Sequence, residues 1–212
     1  GLKPYIGVTI LVATGADGTK LCENLPPGNH IALWKHSSSW ETIAMAVVFP
    51  RQVWVLKREL LWIPFVGWGI RQLHAIAIDR KSGSSAVHQV VDQGRQRLAE
   101  GDWIMVFPEG TRMAPGQTRK YGVSGALLAR ETGHLVVPVA HNAGSFWPRR
   151  GLFKKSGRIR LVIGPPIAAA GLDPTLRQPF RRPAFQVRGH QLHRFAGPQL
   201  QPQGRVCGDR HR

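Results

Sequence analysis

The chain has 212 residues, 42% of them hydrophobic, which suits one α/β domain with a single substantial core and leaves little for a second. Its 29 Lys and Arg against 12 Asp and Glu give a formal charge of +17, so its partners are sought among polyanions, nucleic acid or anionic lipid. Cys22 and Cys207 lie far apart without companions at metal-ligand spacing, which excludes a disulfide framework and a zinc finger and fits a reducing compartment.

The opening residue is Gly1 rather than methionine, which reads as a chain beginning inside a longer product or after processing. Residues 1–23 are read as an N-terminal fragment, a remnant of a membrane-proximal region. Its apolar run Pro4–Gly15, like Leu60–Ile70 further on, falls short of the roughly 20 residues that a membrane-spanning helix needs, and no signal peptide is recognised. Branched apolar runs predict strands at Asn29–Trp34, Gln52–Lys57, His74–Ile78, Trp103–Phe107, Leu135–Ala140 and Arg158–Ile163. Helical patterns fall between them, at Ser38–Val48, at Ser84–Glu100 after a serine cluster suited to capping, and at Val123–Thr132 before Gly133. The alternation predicts an α/β fold, a mostly parallel sheet covered by helices on both faces, as one domain over 24–174. Glu59–Ile70 (ELLWIPFVGWGI) breaks the pattern with Pro64, Gly67 and Gly69. It reads either as a buried irregular connection or as an apolar surface that lines a lipid pocket or dips into a lipid interface, where tryptophan is favoured.

The residues able to carry chemistry sit at predicted strand ends. In KHSSSWE (35–41), His36 precedes Glu41 by five positions. A neutral histidine can take a proton from an alcohol at physiological pH, and a carboxylate on its other ring nitrogen would fix the tautomer. The spacing makes sense if His36 ends a strand, the serines cap a helix, and Glu41 lies in its first turn. His74 and Asp79 share the spacing but fall on one predicted strand. An odd offset there puts them on opposite faces, roughly 16 Å apart, and removes His74 as a base. FPEGTR (107–112) runs from a strand into a turn rich in donors, where Arg112 offers a fork that fits a phosphate. Lys57-Arg58-Glu59 closes a further strand. In an open α/β sheet these strand ends can share one crevice.

The blocks KHSSSWE (35–41), KRELLWIPFVGWG (57–69), FPEGTR (107–112) and VVPVAHNAG (136–144), in that order, resemble those of the 1-acylglycerol-3-phosphate acyltransferases over residues 24–174. The resemblance implies a glycerol-3-phosphate acyltransferase-like single domain. It implies an enzyme that moves a fatty acyl group from acyl-CoA or acyl carrier protein to lysophosphatidic acid, giving phosphatidic acid. By the same resemblance His36 is the general base and Glu41 orients it, Lys57 and Arg112 bind the substrate phosphate, and Glu109, Gly110 and Thr111 shape that phosphate-binding turn. Glu41 stands where the commoner family residue is aspartate, one methylene shorter. The fourth block, Val136–Val139 with Pro138, would lie beside the site or serve as a core strand. Backbone amides at the helix start after His36 are expected oxyanion donors. No metal and no cofactor beyond the acyl donor are expected. The expected place of work is the anionic, cytoplasmic face of the cell membrane, with no nucleic acid as partner. The alternatives are another lyso-acceptor, or a non-enzymatic basic protein that binds nucleic acid or anionic membrane by charge.

Residues 175–212 differ from the rest, with eight arginines and no lysine, Glu, Ser, Ile or Asn, and without helical or strand period. Arginine without lysine is what GC-rich DNA yields when read out of frame. The segment therefore reads as the product of a reading-frame change after Pro174, or else as a genuine disordered basic tail that touches anionic lipid.

Overall fold

The side-chain alternation of strands decides which residues face which layer. In the computed structural model, which describes residues 10–15, 25–49, 51–149 and 154–168, that alternation builds two cores on one sheet. The strands are β1 (Ile10–Gly15), β2 (Ile31–Trp34), β3 (Gln52–Lys57), β4 (Ile76–Ile78), β5 (Trp103–Val106), β6 (Val136–His141) and β7 (Arg158–Ile163). The helices are α1 (Trp40–Val48), α2 (Val66–Gln72), α3 (Ser84–Ala99), α4 (Ser124–Thr132) and the single turn α5 (Ala143–Phe146). Ala32, Trp34, Trp103 and Met105 pack with Trp40, Ala44 and Met45 of α1. The intervening Ile31, Leu33, Ile104 and Val106 pack with Val90 and Leu98 of α3 and with Leu128 of α4. Both faces are therefore covered, and the central strands read as unbroken apolar runs, as expected for a buried parallel sheet.

The strand order is β1-β7-β6-β2-β5-β3-β4. Neighbours are parallel except β6 and β7, so β1 and β7 run against the other five strands. The strands β2, β5, β3 and β4 lie side by side in one direction, which brings the segments that follow them to a common edge. This edge is where open α/β sheets gather ligands.

Several details differ from the sequence expectation. Ile10–Gly15 pairs in parallel with Arg158–Ile163, although the sequence places that run ahead of the domain. The strand expected from His74 begins at Ile76, because His74 adopts φ 51 and cannot continue an extended ladder. The serines do not cap as expected. α3 starts from Gly83 with no side-chain cap, and Ser39 at the start of α1 makes none either. Ser38 takes over, its Oγ accepting the Trp40 N–H at 3.1 Å. Gly133 does end α4 in the left-handed conformation, φ 73. The Glu59–Ile70 segment is exposed rather than buried, folding as a 3-10 turn over Arg58–Trp62 and then α2. The remainder of residues 1–23 and the basic tail 175–212 lie outside the described residues.

Candidate active site

His36 lies just beyond β2, and Glu41 is the second residue of α1. The tight Ser37–Ser39 turn carries the chain back so that the Glu41 carboxylate meets His36 Nδ1. Glu41 is fully buried, and a buried carboxylate needs donors on both oxygens. Oε1 takes His36. Oε2 accepts the N–H of Ser38 at 2.9 Å and of Ser37 at 3.3 Å, and lies 2.9 Å from Nε2 of His141. The Ser37 and Ser38 amides, two of those expected to serve as oxyanion donors, are therefore taken by Glu41, and the Trp40 amide by Ser38. Burial pushes the Glu41 carboxyl up, but the hydrogen bonds from His141 and His36 outweigh it and hold the group below its ordinary value.

The imidazole of His36 stacks on Phe107, ring centroids 4.0 Å apart at 26°. With Nδ1 held by Glu41, Nε2 has no hydrogen bond from the described residues, and His36 lines a crevice of about 670 Å³. That is room for a polar head and part of a lipid chain.

The turn after β5 braces this base. Gly110, at φ 66, closes it with its N–H on the Phe107 carbonyl at 2.9 Å. Inside the turn Glu109 is buried, one carboxylate oxygen paired with Lys35 and the other accepting the His36 N–H at 2.9 Å. Glu109, expected to shape the phosphate-binding turn, is tied through these two contacts to Lys35 and the His36 backbone and is not among the residues that line the crevice. Burial, and then the Glu109 charge, push the nearby Tyr121 phenol up to about 12.

Gly110, Thr111, Arg112 and Lys57 do meet His36 at the crevice. Arg112 Nε is buried with no hydrogen-bond partner among the described residues. Three further cations that sequence reasoning did not single out, Arg80, Arg119 and Arg149, line the same crevice. Arg80 follows β4 and donates to the Gly110 carbonyl. Burial lowers its pKa while Glu59 opposes the shift. The strand-end logic that selected Lys57 applies to Arg80 as well, since Arg80 lies just beyond β4. Apolar side chains line the same crevice, from Trp54, Val55, Leu56, Leu60, Ile70 and Phe107. His74 is exposed and does not line the crevice. His141, also missed, reaches Glu41 from β6.

A family model described as Acyltransferase matches residues 20–142, more than half of the chain. The 1-acyl-sn-glycerol-3-phosphate acyltransferase of Pseudomonas aeruginosa is 45% identical over 152 residues, 72% of this chain and 59% of that protein. The enzyme of the same name from Bacillus subtilis is 30% identical over 152 residues, 70% of this chain and 72% of that protein. The bovine alpha enzyme is 29% identical over 154 residues, and this chain spans 54% of its length. In structure the chain resembles the 1-acyl-sn-glycerophosphate acyltransferase PlsC of Thermotoga maritima, a likeness of fold with a TM-score of 0.63 at 24% identity. That likeness covers 79% of this chain and 65% of the Thermotoga chain. With the family model over more than half of its length and close sequence relatives on the same domain, this chain belongs to the acyltransferase family that contains the 1-acyl-sn-glycerol-3-phosphate acyltransferases.

Proposed function

We propose that this chain transfers a fatty acyl group from acyl-CoA or acyl carrier protein to the sn-2 hydroxyl of 1-acylglycerol 3-phosphate, giving phosphatidic acid at an anionic membrane surface on the cytoplasmic side. The observation that carries the reading is a Glu41-oriented histidine at a crevice lined by both cations and apolar side chains. The substrate joins the same two chemistries, a phosphate at one end and an acyl chain at the other. Arg112, with an unpartnered buried Nε, and Lys57 would hold the phosphate, and Arg80 adds positive charge to the same crevice.

The hydroxyl proton passes to His36 Nε2 as the oxygen attacks the thioester carbonyl. A C–O bond forms and the carbonyl π pair moves to oxygen. The tetrahedral oxyanion collapses, the C–S bond breaks, and His36 returns the proton to sulfur, leaving ester and free thiol. Glu41 steadies the imidazolium between the two steps. The thioester is already activated, so base, orientation and phosphate binding are what the chain must supply.

The test is to give the purified chain each thioester donor with lysophosphatidate or with lysophosphatidylcholine. The reading expects one phosphatidate per thiol released, and preference for the acceptor with the bare phosphate. Thiol release without a new ester, or equal use of the choline-capped acceptor, would refute it.

A further inference from the structure

Glu41 has a second histidine on it. His141 ends β6, its side chain fully buried, and its ring packs near Trp34 and Trp40 at centroid distances of 6.3 and 5.8 Å. Its Nδ1 accepts the Ala143 N–H at 3.2 Å, which assigns the ring proton to Nε2. Nε2 in turn lies 2.9 Å from both Glu41 Oε2 and the Lys35 carbonyl. One N–H thus reaches the carboxylate that orients His36 and the backbone oxygen immediately before His36. Around the same loop the titratable and charged groups are Lys35 and His36 after β2, His141 on β6, and Glu109 after β5.

We propose that His141 is a positioning residue for acyl transfer, holding the Glu41 oxygen that His36 does not use and the strand end that carries His36. This rests on the reading of His36 as the base. The argument is one of hydrogen-bond supply. Without His141, Oε2 keeps, among the described residues, only the Ser38 and Ser37 N–H groups of the loop that carries His36, and the Lys35 carbonyl loses its His141 donor, so the side-chain tie from β6 to the carboxylate and the loop is gone. Rotation of the carboxylate would break the Nδ1 contact that leaves Nε2 facing the crevice. The conclusion is independent of any charge on His141, since the neutral Nε2–H tautomer is sufficient.

The test compares His141→Phe, which keeps an aromatic ring and removes the donor, with His141→Gln, which returns an N–H near the same place. Each full chain is first compared with wild type by thermal unfolding and circular dichroism. His141→Phe is expected to lower kcat about 10- to 100-fold, the scale on which partners of active-site ligands act, with the acceptor KM within about twofold. His141→Gln should recover much of the lost kcat. An independent readout is the Nδ1–H proton resonance of His36, followed by NMR of histidine-labelled protein without substrate, which should move or broaden away in His141→Phe as the contact with Glu41 loosens and should return in His141→Gln. Unchanged kcat and an unchanged resonance in a folded His141→Phe would overturn the proposal. So would a loss of kcat with that resonance unmoved and no recovery in His141→Gln, which is the pattern of a merely structural residue. Failure of the underlying reading looks different. The wild-type chain would then turn over no lysophosphatidate, and the Nδ1–H resonance would still decide whether His141 positions the pair.

Discussion

At His36 the two ring nitrogens have different surroundings, and that asymmetry sets what each substitution should do. Nδ1 is tied to Glu41 while Nε2 faces the crevice, so His36→Ala removes the proton acceptor without emptying a core position, its side chain being 16% exposed. Turnover should fall at least about 10²- to 10⁴-fold, the range of general-base contributions, with the unfolding midpoint little changed. His74→Ala should leave the rate near wild type. Arg112→Lys keeps a charge but loses the planar fork, so the acceptor KM should rise while the thioester KM stays. A change in the thioester constant alone would move Arg112 to the donor side. Glu41 carries a pH prediction. Its folded pKa lies below the ordinary 4.5, so its ionised form stabilises the fold above that value and the contribution is lost as pH falls through the depressed one. Glu41→Gln does not titrate, so the gap in melting temperature between wild type and variant should narrow as pH drops from about 5 toward 3. The meeting of His36 with Glu41, and of Lys57 and Arg112 at one crevice, was legible in sequence because each belongs to a local block at a strand end. His141, Arg80 and the partners of Glu109 were missed because those contacts join distant segments. Glu109 meets His36 across 73 positions and His141 meets the Lys35 carbonyl across 106, and no local spacing encodes such contacts.

Among the elements, the crossing of α3 and α4 offers the sharpest test of packing. A Cβ on Gly94 would stand 2.5 Å from a methyl of Leu128, which is fully buried and has little room to yield. Alanine is favoured over glycine by about 1 kcal/mol inside a helix. Overpacking costs about 1–3 kcal/mol, so the clash should win and Gly94→Ala should lower the melting temperature. Adding Leu128→Ala to the variant tests the cause. If the two side chains compete for one space, the double variant will be less destabilised than the two single losses added together. Additive losses would mean that the helices do not meet at Gly94. The same contrast explains which elements could be read from sequence. Strands β2, β3 and β5 to β7 and helices α1, α3 and α4 are long enough for their apolar period to show, and they appear within a few residues of the expected bounds. β1 was passed over because its apolar run was weighed only as a membrane span, and its pairing with β7 joins residues far apart in the chain. α2 was hidden by Gly67 and Gly69, poor helix formers in isolation. Yet a Cβ on Gly67 would lie 2.1 Å from the Leu61 carbonyl oxygen, so this helix can form against the preceding turn only with glycine there.

For the whole molecule the decisive feature is how charge and exposed apolar surface combine. Among the described residues no helix is long and apolar enough to cross a membrane. The segment beside the crevice instead leaves Trp62 76%, Phe65 78% and Trp68 61% exposed, with the last two rings edge to face at 5.3 Å. Each such side chain entering an apolar layer gains up to about 1.5–3 kcal/mol, a term that salt does not screen. Basic residues near an anionic surface contribute about 1 kcal/mol each, and this term fades once the Debye length shrinks to about 3 Å at molar salt. The two contributions therefore separate in a flotation assay on anionic vesicles at low and high salt. Wild type should bind at both. The triple variant Trp62→Ser, Phe65→Ser and Trp68→Ser should still bind at low salt, where the +17 charge acts, and should fall off at high salt. Neutral vesicles should retain wild type weakly and the variant not at all. Because Leu60 and Ile70 of the same segment line the crevice, insertion would set part of the apolar lining of the site against the layer that holds the lipid substrate. Acyl transfer from vesicle-borne lysophosphatidate should then drop in the triple variant while transfer to a short-chain, water-soluble acceptor is kept. Equal losses on both acceptors would show that the aromatic residues shape the site itself, and unchanged high-salt binding by the variant would place the membrane contact elsewhere on the chain.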